Sequence, residues 1–303
     1  MTDVPAVPAE AVPHLERADS RARVAGFFAL TKPRITFLVV LTTLVGFVVA
    51  ARGRLPLALL WPTLLGTALA AGGASALNQF LEVRADATMR RTARRPLPAG
   101  RLGRAEAAVF GVALALVGVV YLALTVNPWA SALAALTVLS YLLLYTPLKR
   151  VTSLATVVGA VPGAIPPMIG WTAVRGRLDA EAWVLFLIVF LWQMPHFLAL
   201  ARIYSADYAR AGFRMLTVED VTGASAGRQS VLYALALVPV SLLPTFLGLA
   251  GGAYFVIVLG ISLGFLAAAV AMAARPAAPA SARRLFRASL LYLPAVCLLL
   301  VFG

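Results

Sequence analysis

Cysteine, histidine and acidic side chains are all scarce in this sequence. The one cysteine, Cys297, lies inside an apolar run, so the chain has no intramolecular disulfide and no cysteine-based metal cluster. Acids number 12 against 26 basic residues, for a net charge of +14. In a soluble chain that excess would point to nucleic acid. The first thirty residues lack a short apolar core followed by a small-residue cleavage site, so no removable signal peptide is expected. No stretch reads as a soluble domain, and no period of solenoid type is visible.

Apolar residues, by contrast, are abundant. They make up 61% of the chain, and the mean hydropathy is +0.90, well beyond the roughly one-half of an ordinary globular domain. A spanning helix needs about 20 largely apolar residues. Nine stretches qualify, near 34–51, 57–79, 105–124, 128–146, 154–173, 182–201, 230–250, 252–274 and 285–302. The expected fold class is all-α, a polytopic membrane protein. Residues 1–26 read as a flexible polar tail and residues 27–303 as one transmembrane domain.

The charges set the topology. With an internal N-terminus, 22 of the 26 basic residues fall on the inner side. Only Arg52, Arg54, Arg175 and Arg177 fall on the outer side. Lysine and arginine favour the cytoplasmic face, so the N-terminus is expected inside and the C-terminus outside. Two predicted spans look irregular: "GAVPGAIPPMIGW" holds Pro162, Pro166 and Pro167, and "WQMPHFLALA" holds Pro195 and His196. Proline removes a ladder donor, and lipid tolerates such a break only where protein or a cavity covers it.

One polar connection stands out, "NQFLEVRADATMRRTARRPLPAGR" at 78–101. Asn78, Glu82 and Asp86 recur every four residues, which places them on one helix face. Three oxygen-bearing side chains on a stripe suit a hard divalent cation such as Mg2+, which takes one or two carboxylates plus phosphate oxygens. Arg90, Arg91, Arg94 and Arg95 follow at once, and guanidinium forks match phosphate oxygens. Arginines alone would serve topology; the acids would not. The stretch therefore suggests a diphosphate held by metal and arginine together. Asp207 in "DYARAGFRML" lies on the same predicted face and is a candidate for the other side of that site. Lys149, near Tyr145 in "YTPLKR", adds an inner-face cation. His196 is an ionisable residue at membrane depth, where function is the default reading.

The stretch reads N-x3-E-x2-A-D-x2-M-x-R-T-x2-R-x4-G and resembles the signature of the UbiA-type intramembrane prenyltransferases. "TKPRIT", "YTPLKRVT", "WQMPHFLALA" and "DYARAGFRML" are similar to the heme branch of that family. The likeness covers nearly everything after residue 25. It implies nine helices around a lipid-accessible central cavity, with two acidic motifs facing each other at the cytoplasmic mouth. It implies transfer of a farnesyl group from farnesyl diphosphate to a vinyl group of heme b, with magnesium, in a bacterial inner membrane. Asn78, Glu82, Asp86 and Asp207 would hold metal and, with Lys149, carry the catalysis. Arg91, Arg94, Arg95, Tyr145, His196 and Tyr208 would bind substrate. His196 could ligate heme iron, contact a propionate or shuttle a proton, against a plain inter-helix hydrogen bond. A heme A synthase or terminal oxidase is the implied partner. In the wider family the second motif has a further aspartate where this chain has Ala211, and heme-branch members often have an acid where it has Ala206. The rivals are prenylation of an aromatic quinone precursor and a membrane anion carrier.

Overall fold

The computed structural model describes residues 20–303. The N-terminal part of the expected tail, including His14, lies outside the described residues. Residues 20–26, also assigned to that tail, are instead the first turns of a helix, α1 (Ser20–Leu30). The end of this helix is anchored by the buried Gly26 and Leu30 and by the Phe27 ring 5.0 Å from Phe110, and its exposed start by an Arg23–Glu106 ion pair.

The described residues contain no strand. Nine helical segments among them are long and apolar enough to cross a membrane. The first three are α2 (Pro33–Ala51), α3 (Leu57–Leu81) and α5 (Arg104–Thr125), with a short α4 (Val83–Thr88) between the last two. The fourth is composite: α6 (Pro128–Leu139), a π-helical turn (Ser140–Tyr145) and α7 (Thr146–Leu148). The fifth is broken at Ile165 into α8 (Ala155–Ala164) and α9 (Pro166–Arg175). Then come α10 (Ala180–Ile203), two short helices α11 (Ser205–Arg210) and α12 (Leu216–Glu219), and α13 (Ala224–Phe246), α14 (Gly252–Ala274) and α15 (Pro279–Phe302).

The two irregular stretches resolve differently. Pro166 and Pro167 end the α8 ladder, and the buried Gln193 amide of α10 donates to the Ala160 carbonyl at 2.6 Å beside the break. The break is therefore covered by protein, as lipid requires. Around Pro195, by contrast, α10 runs unbroken, so that irregularity does not materialise. α13 begins six residues before the expected 230, and α15 six before 285. Hydropathy trims those turns because Arg228, Arg283 and Arg284 lie in them, yet these side chains are exposed and extend from the helix ends.

Packing forms two apolar halves. One gathers α10, α13, α14 and α15 around residues such as Leu198, Leu237, Tyr254 and Val296. The other gathers α3, α5, α6 and α9 around Ala70, Leu122, Ala134 and Ile169. α2 and α9 approach backbone to backbone, since a Cβ on Gly170 would overlap the Thr43 carbonyl oxygen. Small residues allow such crossings in membrane bundles. Gly170→Ala should destabilise the protein by about 3 kcal/mol or more, the upper end of overpacking costs, despite alanine's better helix propensity. Thermal unfolding in detergent reads this; an unchanged midpoint would contradict the close approach. Three exposed tryptophans, Trp61, Trp129 and Trp183, lie at the starts of the second, fourth and sixth spans. Alternation of the spans puts them on one face, opposite the arginine-rich loops, as an interfacial aromatic belt.

Candidate active site

A cavity of about 350 Å3 opens within the helices at the arginine-rich end. Its inner wall is apolar, with Ile35 and Val39 of α2, Ala71 and Ala74 of α3, and Phe197 and Leu200 of α10. Its mouth is polar, and Asn78, Glu82 and Asp86 all line it. They do not share one uninterrupted helix: α3 ends at Leu81, and Glu82 is the joint before α4. The backbone nevertheless keeps helical spacing across the joint. Glu82 N donates to Asn78 O at 3.0 Å and Asp86 N to Glu82 O at 2.8 Å. The expected stripe survives because both steps remain i to i+4.

Each member of the stripe is buried and has a cationic partner. The Lys149 ammonium donates to Glu82 Oε1 at 2.7 Å. Arg95 donates to Asp86 Oδ2 at 2.7 Å. The Lys32 ammonium donates to Asn78 Oδ1 at 2.9 Å, and the Asn78 amide donates to Thr146 Oγ1 at 3.2 Å. Four cations that line the mouth, Lys32, Arg91, Arg95 and Lys149, meet two carboxylates, Glu82 and Asp86. The site retains positive charge for an anion.

The π-helical turn sets the Lys149 end. Its wider loop brings Tyr141 and Tyr145 to the cavity wall and leaves Thr146 Oγ1 donating to Tyr141 O at 2.9 Å. Such turns recur at functional sites. Lys149 Nζ lies 4.3 Å from the Tyr145 ring centre and 5.7 Å from that of Phe213. Burial pulls the Lys149 ammonium down, but the Tyr145 oxygen, the Glu82 carboxylate and the hydrogen bond outweigh it, so the group is held above the ordinary lysine range. Lys32 goes the other way. Its ammonium is turned into the protein, and burial, with Arg95 and Lys149 nearby, lowers it to about 7 against the pull of Glu82 and Asp86. Its backbone is left-handed, with φ 48° and ψ 65°. That conformation is costly for a lysine and marks a constrained position.

Asp86 shows what is missing. It is 1% exposed, and its Oδ1 has no hydrogen-bond partner among the described residues. A buried carboxylate oxygen left bare carries a desolvation cost, which a cation on the cavity side would remove. No group of three His, Cys, Asp or Glu side chains able to hold a metal occurs among the described residues. Two carboxylates and an amide suit magnesium, which leaves most of its shell to phosphate oxygens and water. The residues present fit that ion when it arrives with a diphosphate.

The other expected residues divide. Arg91 and Tyr208 line the cavity, and Arg91 lies 5.0 Å from the Tyr204 ring centre. Burial holds the Tyr208 phenol above its ordinary value. Arg94 is exposed, and its carbonyl accepts from Arg101. Asp207 is half-buried but pairs with Arg210 and is not on the cavity wall. His196 is also off the wall. Its Nδ1 lies 2.7 Å from Ser289 Oγ, and its ring stacks on Trp192 at 5.2 Å, between α10 and α15. Ala85, Met89, Phe213 and Met215 pack together, joining the two polar loops as a cap over the mouth. Sequence reasoning assigned no role to Lys32, Thr92, Tyr141 or Thr146. Lys32, Thr92 and Thr146 did carry a signal, since they fall in "TKPRIT", in the R-T of the 78–101 signature and in "YTPLKRVT", whereas Tyr141 carried none.

The fold and the cavity define a multi-pass membrane protein built to bring an anionic head group against an apolar chamber. Residues 39–291 match the UbiA prenyltransferase family, and the chain belongs to it. Relatives include the protoheme IX farnesyltransferase of Solibacter usitatus, 46% identical, covering 89% of this chain and 95% of the relative. That of Myxococcus xanthus is 43% identical, covering 91% and 94%. The fold is shared with digeranylgeranylglyceryl phosphate synthase, with a TM-score of 0.78 at 17% identity over 93% of this chain and 98% of that one. It is shared too with an Archaeoglobus fulgidus UbiA homologue bound to DMAPP and Mg2+, with a TM-score of 0.64 at 14% identity over 91% and 99%.

Proposed function

We propose that this enzyme transfers the farnesyl group of farnesyl diphosphate to a vinyl group of heme b. The observation that carries the reading is the bare, buried Asp86 oxygen in a cation-rich mouth above an apolar chamber. The names of the relatives supply the acceptor.

The reaction breaks the farnesyl carbon–oxygen bond and forms a carbon–carbon bond to the vinyl terminus. Water then adds to the inner vinyl carbon and a proton leaves, giving the hydroxyethylfarnesyl product and diphosphate. Magnesium, when bound, neutralises the diphosphate and makes it a better leaving group. Asp86 and Glu82, with the Asn78 amide, would hold it. Arg95, Lys149, Lys32 and Arg91 stabilise charge on the departing oxygens, from positions already ordered by their carboxylate, amide and aromatic partners. The apolar wall receives the isoprenoid, and Tyr145 and Tyr208 form part of the inner surface of the chamber. The cap of Met89, Phe213 and Met215 keeps bulk water from the allylic cation. Asp207, the second-motif residue, would exchange Arg210 for the metal side; Arg94 would assist from the loop surface.

The charge asymmetry supports a bacterial inner-membrane location with the N-terminus and the cavity mouth on the cytoplasmic side. A heme A synthase or terminal oxidase is the proposed recipient of product. The test is a product assay: purified protein, heme b, farnesyl diphosphate and magnesium, with the pigments analysed by mass spectrometry. A farnesylated hydroxyethyl heme is the expected product. Diphosphate release without it would move the acceptor to an aromatic precursor.

His196 faces Ser289 and reaches the chamber only through its neighbour Phe197. His196→Ala should lower stability by about 1–3 kcal/mol, the cost of leaving buried partners unpaired, with the KM for farnesyl diphosphate unchanged. A fall in turnover with heme b at unchanged melting temperature would place it on the acceptor side.

A further inference from the structure

We infer that the cytoplasmic end of the α14–α15 hairpin binds an acidic phospholipid of the surrounding leaflet. The sequence has no Asp or Glu after Asp220, yet carries Arg228, Arg275, Arg283, Arg284 and Arg287 there. The nearest acids in sequence are already used. Asp220 accepts from Thr222, Gly223 and Ser225 at the start of α13, which holds its carboxyl well below the usual range, and Glu219 pairs with Arg214 at 3.1 Å. Among the described residues no ion pair or hydrogen bond engages the guanidinium groups of Arg275, Arg283, Arg284 or Arg287, and all four residues are exposed.

The arrangement is more than a surplus of charge. Arg284, Arg287, Leu291, Pro294 and Leu298 follow at steps of three and four, so they form one stripe along α15. Every member is exposed, Leu291 at 74% and Leu298 at 59%. Two guanidinium groups at the membrane surface thus continue directly into an apolar track running into the bilayer. A phosphate with acyl chains below it matches both parts: the forks take the phosphate oxygens, and the track takes the chains. Topology alone needs cations on this side, but gives no reason for their alignment with an exposed apolar stripe. The site is separate from the cavity, whose walls include no residue of α14 or α15. Its place in the cytoplasmic leaflet rests on the orientation proposed above.

Native mass spectrometry of the detergent-purified full chain, offered equal phosphatidylglycerol and phosphatidylcholine, tests this. The wild type should retain phosphatidylglycerol preferentially. Arg284→Gln with Arg287→Gln should cut the preference by about 25-fold, taking about fivefold per arginine at an anionic surface. The Lys pair at both positions should keep most of it, and Leu291→Asn should weaken retention of both lipids. Turnover in detergent should not change in the Gln pair, which also reports that the protein is folded. Equal retention of the two lipids by the wild type, or an unchanged ratio in the Gln pair, overturns the inference. Displacement of phosphatidylglycerol by excess inorganic phosphate would reassign the arginines to a small-anion site and overturn it equally.

Discussion

Asp86→Asn should reduce farnesyl transfer by about 10^2–10^3-fold, the usual effect of deleting one preorganised group that stabilises developing charge. The substitution keeps shape and an oxygen that can accept from Arg95, and replaces the other carboxylate oxygen and the charge by a neutral NH2. The wild-type carboxylate is unevenly used: Oδ2 takes the Arg95 guanidinium at 2.7 Å, while Oδ1 is buried and bare. Asparagine therefore costs the fold little, because Arg95 is 27% exposed and water can serve it. What is lost is the negative charge of a buried carboxylate in the cavity wall. The check is kcat/KM for heme b farnesylation beside a melting curve. Activity within threefold of wild type, with a normal melting curve, would remove Asp86 from the metal side.

The Lys149–Glu82 pair should separate stability from catalysis. Both side chains are 8% exposed and 2.7 Å apart. Removing one charge strands the other away from water, so Lys149→Met and Glu82→Gln should each cost about 3–5 kcal/mol. The double variant strands neither charge. Its stability should return to within about 1 kcal/mol of wild type, since a buried pair is often no more stabilising than its apolar replacement. Activity should not return, because the chamber has then lost both a cation for the departing diphosphate and a carboxylate for the metal. Thermal denaturation and product assays on the four proteins complete the cycle. Additive losses of stability would show that the two groups are not a pair; recovered turnover in the double variant would show that they are structural only.

Much of this was legible in the residues. The nine spans follow from apolar run length, because lipid demands about 20 such residues per crossing. The largest errors at their ends, the late starts at 230 and 285, have one cause: arginines in the first turns of α13 and α15 suppress hydropathy while extending outward. The Asn78, Glu82 and Asp86 stripe was readable because helical spacing is local, and it held even though the helix is jointed at Glu82. Pro166 and Pro167 marked a break correctly, whereas Pro195 did not, since one lost ladder bond need not interrupt a packed helix.

The sequence by itself determined which residues can enter a membrane, which face carries the positive charge, and that acids and arginines stand together on one local stripe. These depend on composition and on separations of a few residues. Only the tertiary structure decided which cation meets which oxygen. Lys32 reaches Asn78 across 46 positions and Lys149 reaches Glu82 across 67. His196 turns to Ser289 and away from the cavity, and Asp207 turns to Arg210. Those choices are made by the crossing of helices and the π-turn before Lys149. Their energies come from burial, which no single stretch of chain reveals.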